Sequence, residues 1–346
     1  MDLTAFGKIE VRGPDAEAFL NRMMANRAPR QAGGIVLSHL LNRKGTIEAE
    51  VTCSRFAHNS FYLLFAAFHE RRVFDRLLQH VHADEAVEIE NLSEAYGCLV
   101  LSGPAARRVL CQVTEAPLDN AAFPWLKCRE IDVAGVRLRA LRVSYVGELG
   151  WELHVPMADL ARVYDALWAA GQAHDIENFG SLTLNALRLE KGFKGASELT
   201  NEVTLPEADV MRFVRLDKGD FIGRDATLAS RDGEKPWLCA YLAIEAEDAD
   251  CHGAEAVLLK GRRVGAVSSG GYGPTLRKSL AFAYLEPACA APGTALEVMI
   301  LGTPRPATVL SAPAYDPESL RPRMEDAAKD VTPMADTLLD DRRRAQ

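Results

Sequence analysis

Six short apolar segments follow one another between residues 237 and 310, and several of the turns between them contain glycine. Strands that recur at such short spacing are typical of a small β-barrel or β-sandwich. A polar stretch that contains a proline precedes them at residues 230–236, as expected at a domain boundary. We therefore predict a C-terminal β-barrel domain over residues 237–315.

The chain before this boundary mixes strands and helices. The strands and helices predicted in its first part have the order β-α-β-β-β-α-β, which favours an α+β sandwich over a doubly wound sheet. A strand-Gly-Pro-helix unit occurs at Gly13 and again at Gly103, and either two related halves or the reuse of a good helix start explains this. We predict two α+β subdomains with antiparallel sheets, over residues 6–96 and 97–233. Residues 316–346 form a charged tail that we expect to pack loosely or fray.

Composition excludes several classes of protein. The 346 residues carry a formal net charge of -8, which argues against a general partnership with nucleic acid or an anionic membrane. The seven cysteines are odd in number and scattered without a C-x-x-C pair, so the sequence indicates neither a disulfide framework nor a zinc site. No signal peptide or membrane-length apolar run is evident, and we expect a cytoplasmic protein.

The segment that follows Ser144 carries the first candidate for chemistry. Gly147 and Gly150 indicate a tight turn, and an alternating strand follows over residues 151–155. A period of two places Trp151 on the core face of that strand and Glu152 on the opposite face. Glu152 is therefore available to accept hydrogen bonds from a ligand, although a solvated strand glutamate is the simpler explanation.

A second candidate lies on the strand predicted over residues 46–53. Ile47, Ala49, Val51 and Cys53 share one face, so Glu50 lies on the other. Its carboxylate either assists chemistry or belongs to a solvated strand face.

A helix with a leucine stripe follows and stops at Lys191-Gly192, as helices commonly do. It could bring Arg188 and Lys191 to the same site. For Arg188 the sequence favours a structural role, in which it pairs with carboxylates. The residues after Phe193 have little periodicity and indicate an ordered loop.

Four segments in this order resemble the folate-binding aminomethyltransferase family, which includes the T-protein of the glycine cleavage system and the C-terminal halves of dimethylglycine and sarcosine dehydrogenases. They are YVGELGWE at 145–152, LRLEKGF at 187–193, LDKGDFIGR at 216–224 and SSGGYGPTLRKS at 268–279. The likeness is greatest to the dehydrogenase halves. It implies a three-lobed fold with tetrahydrofolate in a central cavity.

The resemblance also implies roles for individual residues. Glu152 stands where the family holds the pterin ring, whose paired N–H donors match a carboxylate. Glu50 stands where the family has a catalytic aspartate, and the extra methylene puts its geometry in question. The expected folate contacts are Glu152, Tyr145, Trp151, Arg188, Phe193 and Tyr272, the last from a hairpin that closes over the site. Where T-proteins have folate-contacting asparagines, Phe65 and Phe68 indicate either a reshaped pocket or core packing.

The activity implied is tetrahydrofolate-dependent one-carbon transfer, with a methylene or methyl group taken from an N-methylated amine or amino acid. The match begins late relative to T-proteins, which suggests a folate subunit that works with a flavin oxidoreductase. One alternative is an O- or S-demethylase that uses tetrahydrofolate. Another is a non-catalytic folate-binding or scaffold subunit.

Overall fold

A computed structural model of the chain describes residues 1–325. The N-terminal sheet has five antiparallel strands in the order β2-β3-β4-β1-β5. Its elements are β1 (Gly7–Arg12), α1 (Ala16–Met23), β2 (Ile35–Leu41), β3 (Ile47–Ala57), β4 (Ser60–Phe65), α2 (Glu70–Gln79) and β5 (Glu88–Asn91). Both helices pack on one face, where Phe19 and Leu77 join Ile9, Val51 and Leu63 in one core.

A second antiparallel sheet has the order β6-β9-β8-β7. Its elements are β6 (Tyr96–Ser102), α3 (Ala106–Leu110), β7 (Cys128–Val133), β8 (Val136–Leu141), β9 (Gly150–Pro156) and α4 (Leu160–Gly171). Its helices also cover one face, with Val109 and Leu167 packed against Trp151 and Leu153.

The two sheets meet through the faces that carry no helix. Tyr62 and Leu64 of β4 share a buried cluster with Cys128 and Leu141 of the second sheet. Gly34 and Lys127 pair across the junction. Polar side chains on these two faces are therefore brought toward each other.

The C-terminal domain is a closed antiparallel barrel in the order β10-β13-β12-β11-β14-β15. Its strands are β10 (Leu238–Ile244), β11 (Ala256–Leu259), β12 (Arg262–Gly273), β13 (Lys278–Leu285), β14 (Ala295–Ile300) and β15 (Thr303–Val309). Pairing of β15 with β10 closes it. The α+β fold with antiparallel sheets and a small barrel is thus confirmed.

The central region and the barrel are joined by α5 (Ser181–Glu190), a long irregular segment and α6 (Arg224–Asp232). Helix α5 lies against β12 and β13. No helix within residues 1–325 is both long and apolar enough to cross a membrane.

The prediction of a loosely packed tail is wrong for residues 316–325. Lys191 donates to the Asp316 backbone carbonyl, and its ammonium lies 3.4 Å from the Asp316 carboxylate. Arg321 pairs with Glu148 at 3.0 Å, and Arg142 donates to the Pro322 carbonyl at 3.0 Å. Charged groups anchor this segment, which is why a search for apolar anchors missed it. Residues 326–346 of the predicted tail lie outside the described residues.

Candidate functional site

Glu152 lies on the helix-free face of the central sheet, as its position in the alternation predicts. Its side chain is 20% exposed, and its Oε2 lies 3.6 Å from Nε2 of the buried His154. The Tyr62 hydroxyl, from the facing sheet, lies 3.3 Å from His154 Nδ1. Cys98 Sγ lies 3.9 Å from His154 Nε2. We call Tyr62, Cys98, Glu152 and His154 the Glu152 cluster.

The electrostatics of the cluster favour a neutral imidazole. Burial lowers the pKa of His154, and the Glu152 carboxylate opposes this shift. Burial also raises the pKa of the Tyr62 phenol, so its hydroxyl keeps its proton. We assign the proton of His154 to Nε2, because Tyr62 can donate to Nδ1. The imidazole then presents an N–H toward the Glu152 carboxylate at 3.6 Å.

Glu50 lies on the helix-free face of the N-terminal sheet, since its neighbours Ala49 and Val51 are buried in the core. Across the β2–β3 ladder it pairs with His39. His39 Nε2 lies 3.5 Å from Glu50 Oε1, and the exposed fractions of these side chains are 0% and 30%. Neither ring nitrogen of His39 has a hydrogen-bond partner among residues 1–325. A buried group of this kind calls for an explanation, and a ligand beside Glu50 would supply one.

Sequence reasoning missed His39, and the signal that could have found it is cross-strand register. An antiparallel pairing of β2 with β3 puts Glu50 directly opposite this histidine.

Tyr145 and Phe193 lie together, as the sequence predicts of two residues at one site. Their rings stack at a centroid distance of 6.2 Å with 25° between planes. The Tyr145 hydroxyl donates to the Lys194 carbonyl at 3.0 Å. Burial raises the pKa of Tyr145, Arg188 opposes the shift, and the carboxylates of Glu50 and Glu198 add to it. Tyr145 therefore lies within electrostatic range of Glu50.

Trp151 does not line a pocket in this structure. Its side chain is completely buried in the core of the central sheet, edge-on to Phe123 at 6.3 Å. The reason is the strand period, which turns Trp151 away from the face that carries Glu152. We correct the expectation of a folate contact to core packing.

Arg188 is likewise committed to the fold. Its Nε and one NH2 donate to Asn185 at 3.0 and 2.7 Å, and the same NH2 group donates to Ser269 at 2.8 Å. The other terminal nitrogen donates to the Phe193 carbonyl at 3.1 Å and to Glu198 at 3.0 Å. These five bonds use the five donors of a guanidinium. The expectation that Arg188 meets folate is therefore corrected to a structural role.

Glu198 completes this network from the loop after α5. Its side chain is fully buried, and it accepts hydrogen bonds from Ser268 at 2.7 Å and from Ser269 at 2.6 Å on the barrel. We call Arg188, Glu198, Ser268 and Ser269 the clamp. The clamp holds α5, its following loop and β12 together.

Tyr272 is 46% exposed near the tip of the β12–β13 hairpin. Glu190 fixes the position of that hairpin by accepting from the backbone N–H groups of Thr275 and Leu276 at 2.7 and 3.0 Å. The closing role of Tyr272 stays a prediction.

The two phenylalanines that depart from the T-protein pattern have different environments. Phe65 is 3% exposed and packs in the N-terminal core, whereas Phe68 is 67% exposed. For Phe65 the structure favours core packing over a reshaped pocket.

A cleft of about 520 Å³ opens at the edge of the N-terminal sheet. Its lining comprises Asn26, Arg27, Ala28, Pro29, Arg30, Gln31, Gly34, Ile35, Val36, Lys127, Arg215 and Asp217. None of the predicted site residues belongs to this lining. The candidate site is therefore defined by its facing polar groups rather than by this cleft.

Comparison with protein families gives two matches. The model described as the GCVT N-terminal domain matches residues 1–218. The model described as the glycine cleavage T-protein C-terminal barrel domain matches residues 239–316.

Individual relatives agree with these matches. Mitochondrial dimethylglycine dehydrogenase of Mus musculus is 36% identical over 95% of this chain, which spans 38% of that protein. An aminomethyltransferase of Saccharopolyspora erythraea is 32% identical, over 91% of this chain and 86% of that protein. The crystal structure of glycine cleavage system aminomethyltransferase T from Bartonella henselae has a TM-score of 0.83 and covers 91% of this chain and 86% of its own. At 24% identity this last likeness is evidence of the fold alone.

Proposed function

Because the chain belongs to the glycine cleavage T-protein family of aminomethyltransferases, we propose that it binds tetrahydrofolate and transfers to it a one-carbon unit from an N-methylated amine or amino acid. The observation that carries this proposal is the position of Glu152 and Glu50. Each carboxylate lies on the helix-free face of its sheet, and these faces are turned toward each other. In this proposal Glu152 holds the folate and Glu50 acts near the reacting carbon.

The residues present fit a pterin at Glu152. Among the described residues, His154 is the one donor that approaches the Glu152 carboxylate, at 3.6 Å, so lone pairs are left for a ligand. Two parallel N–H donors, as a pterin carries, match a carboxylate in both charge and direction. His154, whose Nδ1 lies 3.3 Å from the Tyr62 hydroxyl, faces the Glu152 carboxylate at 3.6 Å. Bound tetrahydrofolate would supply the nitrogen atoms that accept the one-carbon unit.

Glu50 and His39 fit the reacting end of the site. A carboxylate there stabilises positive charge on an iminium-like carbon, and this stabilisation is strong where water is excluded. The unpaired nitrogens of buried His39 provide a donor or acceptor beside Glu50. Tyr145 and Phe193 offer an apolar wall in the same neighbourhood. Together these residues would bring the reactants close and keep the one-carbon unit from hydrolysis.

The chain spans about two fifths of the length of the dimethylglycine dehydrogenases that it matches. This supports the further proposal that a flavin oxidoreductase subunit or domain generates the iminium that Glu50 meets. Glu50 stands where the family has an aspartate, and its extra methylene changes the geometry beside the reacting carbon. An O- or S-methyl donor is therefore the alternative to an N-methyl donor.

Calorimetric titration of the purified chain with tetrahydrofolate tests the binding step. We expect Glu152→Ala to weaken binding by about 2 kcal/mol or more, because a charged hydrogen-bonding anchor is lost. Glu88→Ala is the matched control, since this strand glutamate is 79% exposed on β5. Absence of binding to the native chain would contradict the folate proposal and favour a scaffold subunit.

A donor screen then tests the reaction. The native chain with tetrahydrofolate is incubated with N-methyl, O-methyl and S-methyl compounds, with and without a flavin dehydrogenase that acts on dimethylglycine. We expect methylenetetrahydrofolate, which has the oxidation level of the iminium carbon, only with N-methyl donors and only when the dehydrogenase is present. Turnover of an O- or S-methyl donor without it would establish the alternative.

A further inference from the structure

Cys98, Glu152 and His154 bring three metal-ligating atoms to one place. Strands β6 and β9 pair so that Cys98 stands directly opposite His154. The thiol sulfur, an imidazole nitrogen and a carboxylate oxygen all lie within 4.8 Å of one another. Cys98 and His154 are each 1% exposed. The donors therefore converge in an enclosed place rather than on open surface.

Two of the three donor separations are close to those around a tetrahedral ion. His154 Nε2 lies 3.9 Å from Cys98 Sγ and 3.6 Å from Glu152 Oε2. With zinc–sulfur bonds of about 2.3 Å and zinc–nitrogen bonds of about 2.0 Å, neighbouring donors lie roughly 3.3–3.6 Å apart. Shifts of a few tenths of an ångström would bring these two separations to the tetrahedral values. The Cys98 sulfur and the Glu152 carboxylate lie within 4.8 Å of each other, so their approach needs a shift of up to roughly an ångström by the partly exposed carboxylate. Three protein donors leave the fourth position for water.

The donor types select the kind of ion. A thiolate with an imidazole favours zinc(II) or cobalt(II), whereas magnesium and calcium prefer oxygen donors. The Cys98 thiolate and the Glu152 carboxylate together would neutralise a divalent charge.

The surroundings of the three donors also fit a metal. The Tyr62 hydroxyl meets the second nitrogen of His154 at 3.3 Å, as an outer partner of a metal-bound imidazole does. Burial and the Glu152 carboxylate raise the pKa of the Cys98 thiol and the Lys8 ammonium opposes this shift, so a bound ion must displace the thiol proton. The Lys8 ammonium is held at 2.8 Å by each of the carbonyls of Thr4 and Phe6.

We propose that Cys98, His154 and Glu152 form a binding site for zinc(II). On binding, the S–H bond of Cys98 breaks and its proton passes to solvent. The His154 proton moves by exchange with solvent from Nε2 to Nδ1, where the Tyr62 hydroxyl accepts a hydrogen bond from it. Sulfur–metal and nitrogen–metal bonds then form without any change of oxidation state. The linear sequence shows no zinc spacing, because strand pairing joins residues 56 positions apart. Zinc would occupy the Glu152 carboxylate and exclude a pterin from it, and this consequence alone rests on the proposed function.

Cobalt(II) titration of the reduced full chain, without folate, tests the site. We expect one thiolate-to-cobalt charge-transfer band in the near ultraviolet, saturating at one ion per chain and removed by added zinc. Cys98→Ser should abolish the band, and Glu152→Gln should weaken binding by about tenfold or more. Cys111→Ser, which alters an exposed cysteine elsewhere, is the matched control and should keep the band.

Two results would overturn the proposal. One is a native chain with no charge-transfer band. The other is a band that persists in Cys98→Ser, because another cysteine would then hold the ion. Thermal unfolding followed by circular dichroism confirms that each variant is folded, and Glu152→Gln keeps the test valid if Cys98→Ser does not fold.

The effect on folate is measured separately. Zinc should raise the apparent Kd of tetrahydrofolate for the native chain and leave it unchanged in Cys98→Ser. An equal effect of zinc on the native chain and on Cys98→Ser would contradict competition between zinc and tetrahydrofolate. The cobalt band reports on the metal site whether or not folate binds.

Discussion

The clamp and the Glu152 cluster each contain residues of the motifs that resemble the family, namely Arg188, Ser268 and Ser269 in the clamp and Glu152 in the cluster. They differ in how completely the polar atoms of these residues are paired. In the clamp, every donor of Arg188 is used, and Glu198 accepts from groups on three segments. Among residues 1–325, by contrast, the Glu152 carboxylate has one ion-pair contact, with His154 at 3.6 Å. The difference separates motif residues that hold the domains together from residues that are available to a ligand.

The largest effect is expected in the clamp. Arg188→Ala leaves the fully buried Glu198 carboxylate without its cation, and we expect a loss of about 3–5 kcal/mol in the free energy of unfolding. Urea unfolding followed by fluorescence measures it. Arg137→Ala, on an exposed strand pair, is the control. A loss below about 1 kcal/mol would mean that the clamp is not a determinant of stability.

The opposite outcome is expected at Glu152. Glu152→Gln should change the free energy of unfolding by less than about 1 kcal/mol, because the side chain is partly exposed and sparsely paired. Tetrahydrofolate affinity should nevertheless fall about tenfold or more, since a hydrogen bond to a charged group is lost. Paired calorimetry and urea unfolding on one preparation measure both quantities. A large loss of stability with unchanged affinity would assign Glu152 to the fold, like Arg188.

The pH dependence of stability probes the same cluster. Burial lowers the pKa of His154 in the folded chain. In the unfolded chain the pKa of this histidine is about 6.5, so below that pH the unfolded state binds the proton more readily than the folded state. The free energy of unfolding therefore falls as pH falls, until the pKa of His154 in the folded chain is reached. The fall is at most about 1.4 kcal/mol per pH unit for one group. His154→Gln should flatten the curve of unfolding free energy below pH 6.5, while His82→Gln at an exposed position should not. Identical curves for native and His154→Gln chains would contradict the buried neutral imidazole.

The smallest effect is expected at a surface ion pair. Like the clamp, this pair joins an arginine to a glutamate. Arg262 and Glu286 contact at 2.6 Å, with 61% and 35% of their side chains exposed. Arg262→Ala should cost no more than about 1 kcal/mol of unfolding free energy. A cost as large as that of Arg188→Ala would show that burial is not what strengthens the clamp.

Local patterns were sufficient to predict most of the fold. Short strands with glycine turns predict the barrel, and a period of two places Glu152 and Glu50 on the faces that the structure gives them. These features depend only on residues that are near in sequence. The same alternation places Trp151 in the core, and only the family motif suggested a ligand contact for it.

The features that sequence reasoning missed depend on distant partners. The guanidinium of Arg188 is not available to a ligand because it donates to Glu198 and Ser269, and Ser269 lies 81 positions away in the chain. His39 and Cys98 become site residues only when strand register sets them opposite Glu50 and His154. The anchoring of residues 316–325 depends on isolated charged groups, which leave no periodic signal in the chain.

That anchoring has a consequence for the order in which the protein folds. The contact of Arg142 with Pro322 closes a separation of 180 positions, and that of Lys191 with Asp316 closes 125. Contacts between such distant positions carry a high loop-closure cost and form after local structure has reduced the effective loop. We therefore expect residues 316–325 to dock last, once the central sheet and the barrel have formed.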